Sequence, residues 1–183
     1  LNRTRLAMID VESGAVTSWA PSVNGQVNAM DVSAGQIYFG GTFTKVNGVD
    51  RPFAAAIDTS TLAINSWNPE PNAEVRSISV SNGGAVYLGG AFTSLNAPSV
   101  VKNYAAAVSP TTGDAVTWNP DFNGPVNAVL HSGTTVTIGG EFTTVNGGRI
   151  GSRSAKVDET TGTALSWNPS VNGTINTLAI VGH

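Results

Sequence analysis

Residues 40–48 read Gly-Gly-Thr-Phe-Thr-Lys-Val-Asn-Gly, and residues 139–147 repeat the motif as Gly-Gly-Glu-Phe-Thr-Thr-Val-Asn-Gly. A shorter match, Gly-Gly-Ala-Phe-Thr-Ser-Leu-Asn, covers residues 89–96. The motif belongs to a cassette of about 49 residues that occurs three times. Self-similarity at a fixed period of this length indicates one supersecondary unit that is repeated in space.

Four tryptophans set the register of the repeat, with separations of 48, 51 and 49 residues: Trp19, Trp67, Trp118 and Trp167. Each is followed two residues later by Pro and five residues later by Asn. This register predicts three full repeats between the end of a preceding unit and the start of a following one. The corresponding ranges are 1–19, 20–67, 68–118, 119–167 and 168–183.

Each cassette contains four short runs that are rich in β-branched and small residues and bounded by Gly, Asn, Pro and Ser, a pattern typical of strands and turns. No segment shows a sustained helical period. The end segment Leu6–Trp19 predicts two further strands and the end segment Thr174–His183 predicts one. With four strands in each of three cassettes, this makes 15 predicted strands. The runs of the first full cassette are Val27–Val32, Ile37–Phe39, Ala54–Ile57 and Ala63–Trp67.

Four strands per unit at this period predict an all-β fold, a β-propeller with four-stranded blades. A parallel β-helix is the second choice, although its coils are shorter than this period. Closed propellers use four to eight blades. Three full blades therefore predict an incomplete ring, either a fragment of a larger propeller or a ring that two or more chains complete.

Recurring side chains are predicted to serve the fold. The Gly-Gly pair ends the second run, where the backbone bends or approaches a neighbour closely. The Phe two residues later is expected in the core, and the repeated Trp is expected to pack rather than to bind a ligand. These residues are Trp19, Trp67, Trp118, Trp167, Phe43, Phe92, Phe142, Gly40, Gly41, Gly89, Gly90, Gly139 and Gly140.

An Asp nine residues before the Trp recurs as Asp10, Asp58 and Asp158. A carboxylate at this place is expected to accept backbone N–H bonds in the following turn. The turn usually contains Gly, but Thr61-Leu62 takes its place once. We therefore predict a different turn in that cassette.

Composition narrows the classes of function. The chain has 9 Lys and Arg against 12 Asp and Glu, and these few basic residues are scattered, which argues against nucleic-acid binding. No apolar run reaches the length that membrane insertion needs. Cys is absent, and the chain is rich in Thr, Asn and Gly. These features favour a secreted or surface-exposed bacterial protein.

The motif Gly-Gly-x-Phe-Thr-x-Val-Asn-Gly at Gly40–Gly48 and Gly139–Gly147 resembles the bacterial delta-sixty-type β-propeller repeat. The Asn-Gly-x-Val-x-Ala stretches at Asn24–Ala29 and Asn123–Ala128 resemble it as well. The second cassette departs from the motif, with Ala97 in place of Gly and a longer loop after it. The resemblance implies an extracellular propeller that acts as a binding or structural module of a large secreted or cell-surface protein.

Positions where the copies disagree are the candidates for chemistry. His131 stands where other cassettes have Val or Ile, and Arg76 stands where they have Asn. A partly exposed strand-end histidine is favoured over a ligand-facing group for His131. For Arg76 an ion pair with Glu74 is favoured over a ligand anchor. Zinc is not expected, because Cys and paired His are missing. Calcium bound by main-chain carbonyls of a loop stays an open alternative, but the sequence does not predict it, because there is no EF-hand or Asp-x-Asp loop and Asp158-Glu159-Thr160 is the one dense acidic patch. No cofactor is expected.

Loops between the second and third runs are the least repetitive segments, and they should cluster on one rim. They span Val49–Phe53, Ala97–Tyr104 and Gly148–Ser154. Candidate binding side chains in them are Arg51, Lys102, Tyr104, Arg149 and Arg153.

The leading hypothesis is a non-enzymatic extracellular scaffold or interaction module. Its partners would be other protein chains or further propeller repeats, which exposed strand edges would recruit. A carbohydrate-binding propeller with glycan ligands is the first alternative. A hydrolase or lyase with its site at the propeller axis is the second, with Asp31, Glu74 and His131 as the candidate groups.

Overall fold

The computed structural model describes residues 4–82, 84–96, 100–150 and 153–181. Within these ranges the chain forms antiparallel β-strands and no α-helix, which confirms the all-β prediction. The same ranges hold no helix with the length and apolar character needed to cross a membrane.

Five strands form in each cassette. In the first they are β1 (Val27–Ser33), β2 (Gln36–Gly41), β3 (Lys45–Val46), β4 (Val49–Asp50) and β5 (Ala54–Asp58). In the second they are β6 (Val75–Val80), β7 (Val86–Gly90), β8 (Ser94–Leu95), β9 (Val100–Val101) and β10 (Ala105–Val108). In the third they are β11 (Val126–Ser132), β12 (Thr135–Gly140), β13 (Thr144–Val145), β14 (Gly148–Arg149) and β15 (Ser154–Asp158).

Three of the five strands make one sheet per cassette. The strand orders are β1-β2-β5, β6-β7-β10 and β11-β12-β15, and all pairs are antiparallel. We call the first strand of each sheet, β1, β6 or β11, its inner strand. The register of pairing shifts by one residue near the start of each inner strand, as between Val27 and Ala29. This shift lies opposite the Gly-Gly pair, where the backbone has to bend.

The other two strands form a small hairpin between the second and third strands of the sheet, where the sequence predicts only a loop. An Asn from the Asn-Gly region holds the start of each hairpin. Asn24 Oδ1 accepts the backbone N–H groups of Thr44 and Lys45, both at 2.8 Å. Asn72 and Asn123 make the equivalent bonds. The repeated Asn and Phe-Thr are therefore two halves of one local motif.

The fourth run of each cassette was predicted to be a full strand, and this prediction is wrong. It pairs with the third strand through single bridges, Ile57 with Ile64, Val108 with Ala115 and Val157 with Ala164. In the second cassette a side chain also bonds to two carbonyls of this run. Lys102 Nζ donates to Val116 O at 2.8 Å and to Trp118 O at 2.7 Å. The sheets therefore have three continuous strands.

The strand predicted at Ile175–Ile180 does not form either. In each full cassette the corresponding inner strand pairs with a second strand that ends in Gly-Gly. The described residues that follow position 168 include no such second strand. Positions 182–183, the end of the segment Thr174–His183, lie outside the described residues.

The sheets pack face to face in chain order. Alternate side chains of β10 enter two different cores, since Ala106 and Val108 face the first sheet whereas Ala105 and Ala107 face the third. A strand covered on both faces needs small or apolar residues at every position. This requirement explains the Ala-rich third runs.

Recurring aromatic residues close these cores. Phe43, Phe92 and Phe142 are buried, as are Trp67 and Trp118. The indole N–H of Trp67 donates to Ser109 O of the next cassette at 2.9 Å, and that of Trp118 donates to Asp158 O at 3.0 Å. Each ring also meets a Tyr edge on: Tyr38 lies 5.1 Å from Trp67, and Tyr87 lies 5.2 Å from Trp118.

Trp19 and Trp167 depart from this arrangement. Trp19 is half-buried and donates its indole N–H to Leu62 O at 3.3 Å. Trp167, predicted to pack like the others, is 38% exposed against 0% for Trp67 and 1% for Trp118. Among the described residues no following turn covers it, and Lys156 lies over its ring at 5.5 Å.

The two glycines of each pair serve different close approaches. A Cβ on Gly89 would lie 2.5 Å from Val126 Cγ1 of the next cassette. A Cβ on Gly90 would lie 2.2 Å from the backbone oxygen of Glu74 in its own cassette. The first glycine thus allows a side chain of the neighbouring cassette to pack against the backbone. The second allows the bulged inner strand of its own cassette to lie close by. Both positions exclude any larger residue without displacement of the backbone or core.

Replacement of Gly89 by Ala should destabilise the protein by about 1–3 kcal/mol, because the new methyl group overpacks the contact with Val126. Urea unfolding followed by tryptophan fluorescence measures the change. The double variant G89A/V126A should lose less stability than the sum of the two single variants, since Val126→Ala removes the nearest clashing methyl group, although Val129 Cγ2 would still lie 2.7 Å from the new Cβ.

Gly173→Ala is the matched control, because no atom lies within 4 Å of a Cβ built there. Its free energy of unfolding should stay within about 0.5 kcal/mol of the wild type. Equal unfolding midpoints for G89A and G173A would contradict the proposed role of the first glycine.

Candidate functional site

An open groove of about 680 Å³ lies between the second and third cassettes, at the end of the inner strands. His131, at the end of β11, forms part of its wall. His131 Nε2 and Glu159 Oε2 lie 2.6 Å apart, and the His131 side chain is only 13% exposed. The imidazole also stacks on the ring of Tyr87, with centroids 5.5 Å apart and planes 8° from parallel.

Backbone contacts hold the three groups in place. The N–H of His131 donates to Ser79 Oγ at 3.0 Å, and the Tyr87 hydroxyl donates to the backbone oxygen of Glu159 at 2.9 Å. Burial raises the pKa of Tyr87 to about 12, and the negative charges of Glu159 and Asp158 act in the same direction. The result is a preorganised cluster that joins two cassettes.

The preceding interface carries the same groove with different chemistry. A cavity of about 420 Å³ lies there, lined in part by Tyr38, Val80 and Pro110. Tyr38 also donates its hydroxyl to a backbone oxygen, that of Pro110, at 2.8 Å. Val80 occupies the repeat position of His131, and Pro110 occupies that of Glu159. The histidine and the glutamate thus replace two uncharged residues together.

Sequence reasoning singled out His131 but missed Glu159. The repeat position directly after the recurring Asp could have pointed to it, because the cassettes differ there: they have Thr59, Pro110 and Glu159. Only the fold shows that this repeat position lies next to that of His131, because Glu159 and His131 are 28 residues apart in the chain.

A second polar cluster lies at the start of the inner strands. Arg76 forms the predicted ion pair with Glu74, with Nε 2.7 Å from Oε1. It also reaches the third cassette, where one terminal nitrogen lies 2.8 Å from Asn127 Oδ1 and 3.2 Å from Glu141 Oε1. Glu141 thus shares this cation with Glu74.

Two of the candidate rim cations point into the protein. Arg51 and Lys102 occupy equivalent positions, since their N–H groups donate to Thr44 O and Thr93 O. Lys102 was expected to be a rim ligand but is buried, with its ammonium between two carbonyls. Burial lowers the pKa of Lys102. Arg51 donates to Asn65 O at 2.7 Å.

Three rim candidates remain: Tyr104 and Arg149 lie apart from both clusters, and Arg153 lies next to the Arg76 cluster. Tyr104 has a positive φ of 64° and packs partly against the core. Arg149 is exposed on β14. The guanidinium of Arg153 donates to the backbone oxygen of Glu141. Residues 97–99 and 151–152 of the predicted rim loops lie outside the described residues.

The recurring Asp has the predicted turn role. Asp58 Oδ1 accepts the N–H groups of Ser60 and Thr61 at 2.9 and 2.8 Å. The Ser60 hydroxyl bond, followed by the Thr61 N–H, lowers the pKa of Asp58. Leu62 has a φ of 58° and donates to Asp58 O at 2.8 Å, as Gly113 does to Ser109 O at 3.0 Å. The prediction of a different turn is therefore wrong, because the Asp58 bonds hold the same turn without Gly.

Within the described ranges, no group of three or more His, Asp or Glu side chains is placed to hold a metal ion. The cluster around His131 and the cluster around Arg76 lie at opposite ends of the inner strands. The side chains of each cluster can form hydrogen bonds and ion pairs within that cluster or with a polar ligand.

No family model and no curated protein matches the chain. Two computationally designed proteins with known crystal structures are similar to it. Ika4 is 14% identical with a TM-score of 0.58, and the match covers 87% of this chain and 82% of Ika4. Ika8, in a P63 crystal packing, is 12% identical with a TM-score of 0.56, and the match covers 96% of this chain but 59% of Ika8. The chain thus spans less than two thirds of the length of Ika8. These likenesses concern the fold alone.

Replacement of Tyr87 by Phe should destabilise the protein by about 1 kcal/mol near neutral pH, because it removes the hydrogen bond to Glu159 O. The gap to the wild type should narrow as pH rises from 10 to 12. Tyr87 ionises near 10 in the unfolded chain but near 12 in the folded protein. The wild type alone therefore loses this contribution over that interval.

Urea unfolding at a series of pH values measures the gap. Asn24→Ala is the matched control, because it removes the bonds from Thr44 and Lys45 N–H to Asn24 Oδ1 in the first cassette, away from Tyr87, and no titrating group. Its deficit relative to the wild type should stay constant. A constant deficit for Tyr87→Phe would refute the assignment.

Proposed function

We propose that the cassettes are blades of a β-propeller and that the chain serves as a non-enzymatic extracellular scaffold that contacts other protein chains carrying the same cassette. Resemblance and composition support the extracellular placement. The observation that carries the proposal is the repetition of one close contact at successive interfaces, where a Cβ on Gly40, Gly89 or Gly139 would lie 2.4–2.5 Å from a side chain of the next unit.

Internal interfaces repeat one set of contacts. Val75 fills the space beside Gly40, Val126 the space beside Gly89, and Ile175 the space beside Gly139. A surface that binds its neighbour in the same way at successive steps is suited to bind a further unit.

Both ends of the stack retain exposed apolar side chains. Met30 is 53% exposed and Val32 is 59% exposed on the first sheet, whereas their counterparts Ile78 and Val80 are more buried beneath the preceding cassette. Leu165 and Trp167 are exposed at the other end. Contiguous exposed apolar surface is typical of protein-interaction sites.

The proposal predicts that copies of the chain associate, with each copy serving as the cassette-bearing partner of another. Sedimentation velocity from micromolar to millimolar concentration measures this association. Val32→Ser should weaken it about tenfold, the effect of losing about 1.4 kcal/mol of apolar burial.

Val101→Ser is the matched control, because Val101 is 67% exposed but lies on the β8–β9 hairpin rather than an end face. It should leave the association unchanged. A wild type that sediments as a monomer at every concentration would exclude the proposal.

Carbohydrate binding is a second candidate, which the polar groove at His131 and Glu159 favours. Hydroxyl groups of a glycan could bond to both side chains. The expected result is binding on a glycan array and a rise in melting temperature with the bound sugar. His131→Val, which copies Val80 of the preceding cassette, should remove both. An array with no bound glycan would count decisively against this candidate.

A further inference from the structure

We infer that the two grooves between the cassettes form one continuous site for a linear, uncharged oligosaccharide, with about two sugar units in each groove. The inference rests on the carbohydrate-binding function proposed above. It adds the class of glycan and the way in which the chain of sugars lies on the protein.

The two grooves adjoin one another. Val80, Ser81 and Gly84 line both the groove of about 420 Å³ at the first interface and the groove of about 680 Å³ at the second. The loop after β6 is therefore a wall that the two grooves share. Both grooves lie on the face of the protein where the inner strands end, so a single ligand can enter both.

Carboxamides give the first groove its hydrogen-bonding groups. Asn65 Nδ2 donates to Gln36 Oε1 at 2.5 Å, and Gln36 Nε2 donates to Asp58 Oδ2 at 3.1 Å. Asn65 and Gln36 both line the groove. A carboxamide has two N–H groups, and these bonds use one of each, so the other can donate to a ligand hydroxyl. Because the chain already orients both side chains, a ligand does not have to order them.

The second groove has an acid and an imidazole in a fixed arrangement, since His131 Nε2 and Glu159 Oε2 lie 2.6 Å apart. A carboxylate accepts hydrogen bonds from sugar hydroxyls, and an imidazole or amide N–H donates to them. Each groove also has a tyrosine in its wall, Tyr38 in the first and Tyr87 in the second. A flat ring beside a few fixed polar groups is suited to a sugar, which has an apolar face and hydroxyl edges.

The lining argues against charged ligands. Among the described residues no Lys or Arg lines either groove, and the carboxylate of Glu159 faces His131. A phosphate group, a nucleic acid or an acidic sugar would therefore find no permanent cation to bind it.

The backbone argues against an extended peptide, which would need free N–H groups on the inner strands. The Val80 N–H instead donates to Asp31 Oδ2 at 2.8 Å, and the His131 N–H donates to Ser79 Oγ at 3.0 Å. Both bonds cross an interface between cassettes beside a groove. Side chains rather than a backbone ladder must therefore recognise the ligand.

The repetition of the grooves sets the length of the ligand. Sheets that pack face to face lie about 10 Å apart, and two pyranose rings in an extended chain cover about the same length. Successive disaccharides of one chain therefore meet successive grooves. A ligand that fills both grooves gains affinity over one that fills a single groove, because its second contact is intramolecular.

Isothermal titration calorimetry with the full chain measures the effect of ligand length. The probes are cello-oligosaccharides, xylo-oligosaccharides and N-acetylated chito-oligosaccharides, each as the disaccharide and the tetrasaccharide. At least one series should bind. Its tetrasaccharide should bind once per chain and at least about tenfold more tightly than its disaccharide.

Two bulky substitutions at equivalent repeat positions block one groove each. Thr111 lines the first groove and Thr160 lines the second, and both are exposed. Thr111→Trp and Thr160→Trp should each lower the affinity for the tetrasaccharide at least about tenfold, because the ligand needs both grooves. Val101→Trp is the matched control, since Val101 is 67% exposed on the β8–β9 hairpin and lines neither groove. Its affinity should equal that of the wild type, and circular dichroism checks that all three variants keep the fold.

Equal affinities for the disaccharide and the tetrasaccharide would overturn the inference. A blocked groove that leaves the tetrasaccharide affinity unchanged would do the same, because the grooves would then act separately, while carbohydrate binding itself would stand. If no series binds the wild type at millimolar concentration, the inference is overturned, and the glycan array decides separately about carbohydrate binding in general. The scaffold proposal depends on sedimentation and not on these results.

Discussion

The close approach of neighbouring cassettes at the first glycine of each Gly-Gly pair is the constraint on which the structure depends. Val75, Val126 and Ile175 each occupy space that a Cβ would fill. Because the sheets come this close, the residues between them must be small or flat, as Ala106 and the Tyr-Trp pairs are. The second glycine then lets the inner strand bulge, which completes a contact that can repeat without change along the chain.

This constant backbone frame supports different chemistry at each interface. The first interface closes its groove with Val80 and Pro110, whereas the second has the His131–Glu159 pair stacked on Tyr87. The other end of the second interface adds a network around Arg76, which two carboxylates share. Repetition holds the sheets together, and departures from repetition give an interface its own polar groups.

Some features could be read from the repeat because their causes are local. The Asp58 turn and the Arg76–Glu74 pair join residues only two or three positions apart. Other features could not, because they join distant positions. Lys102 resembles a rim cation in the sequence, yet its ammonium meets carbonyls 14 and 16 residues away.

The sequence by itself determined the repeat, its period and its all-β character, because alternation, Gly and Asn act over a few residues. It predicted four strands in each cassette, of which three are continuous in the sheets. Only the tertiary structure decided which columns face each other across an interface. Glu141 meets Arg76 because face-to-face packing of two cassettes brings together positions that are 65 residues apart. Glu159 meets His131, 28 residues away, because the sheet of the third cassette brings the ends of β11 and β15 to the same side.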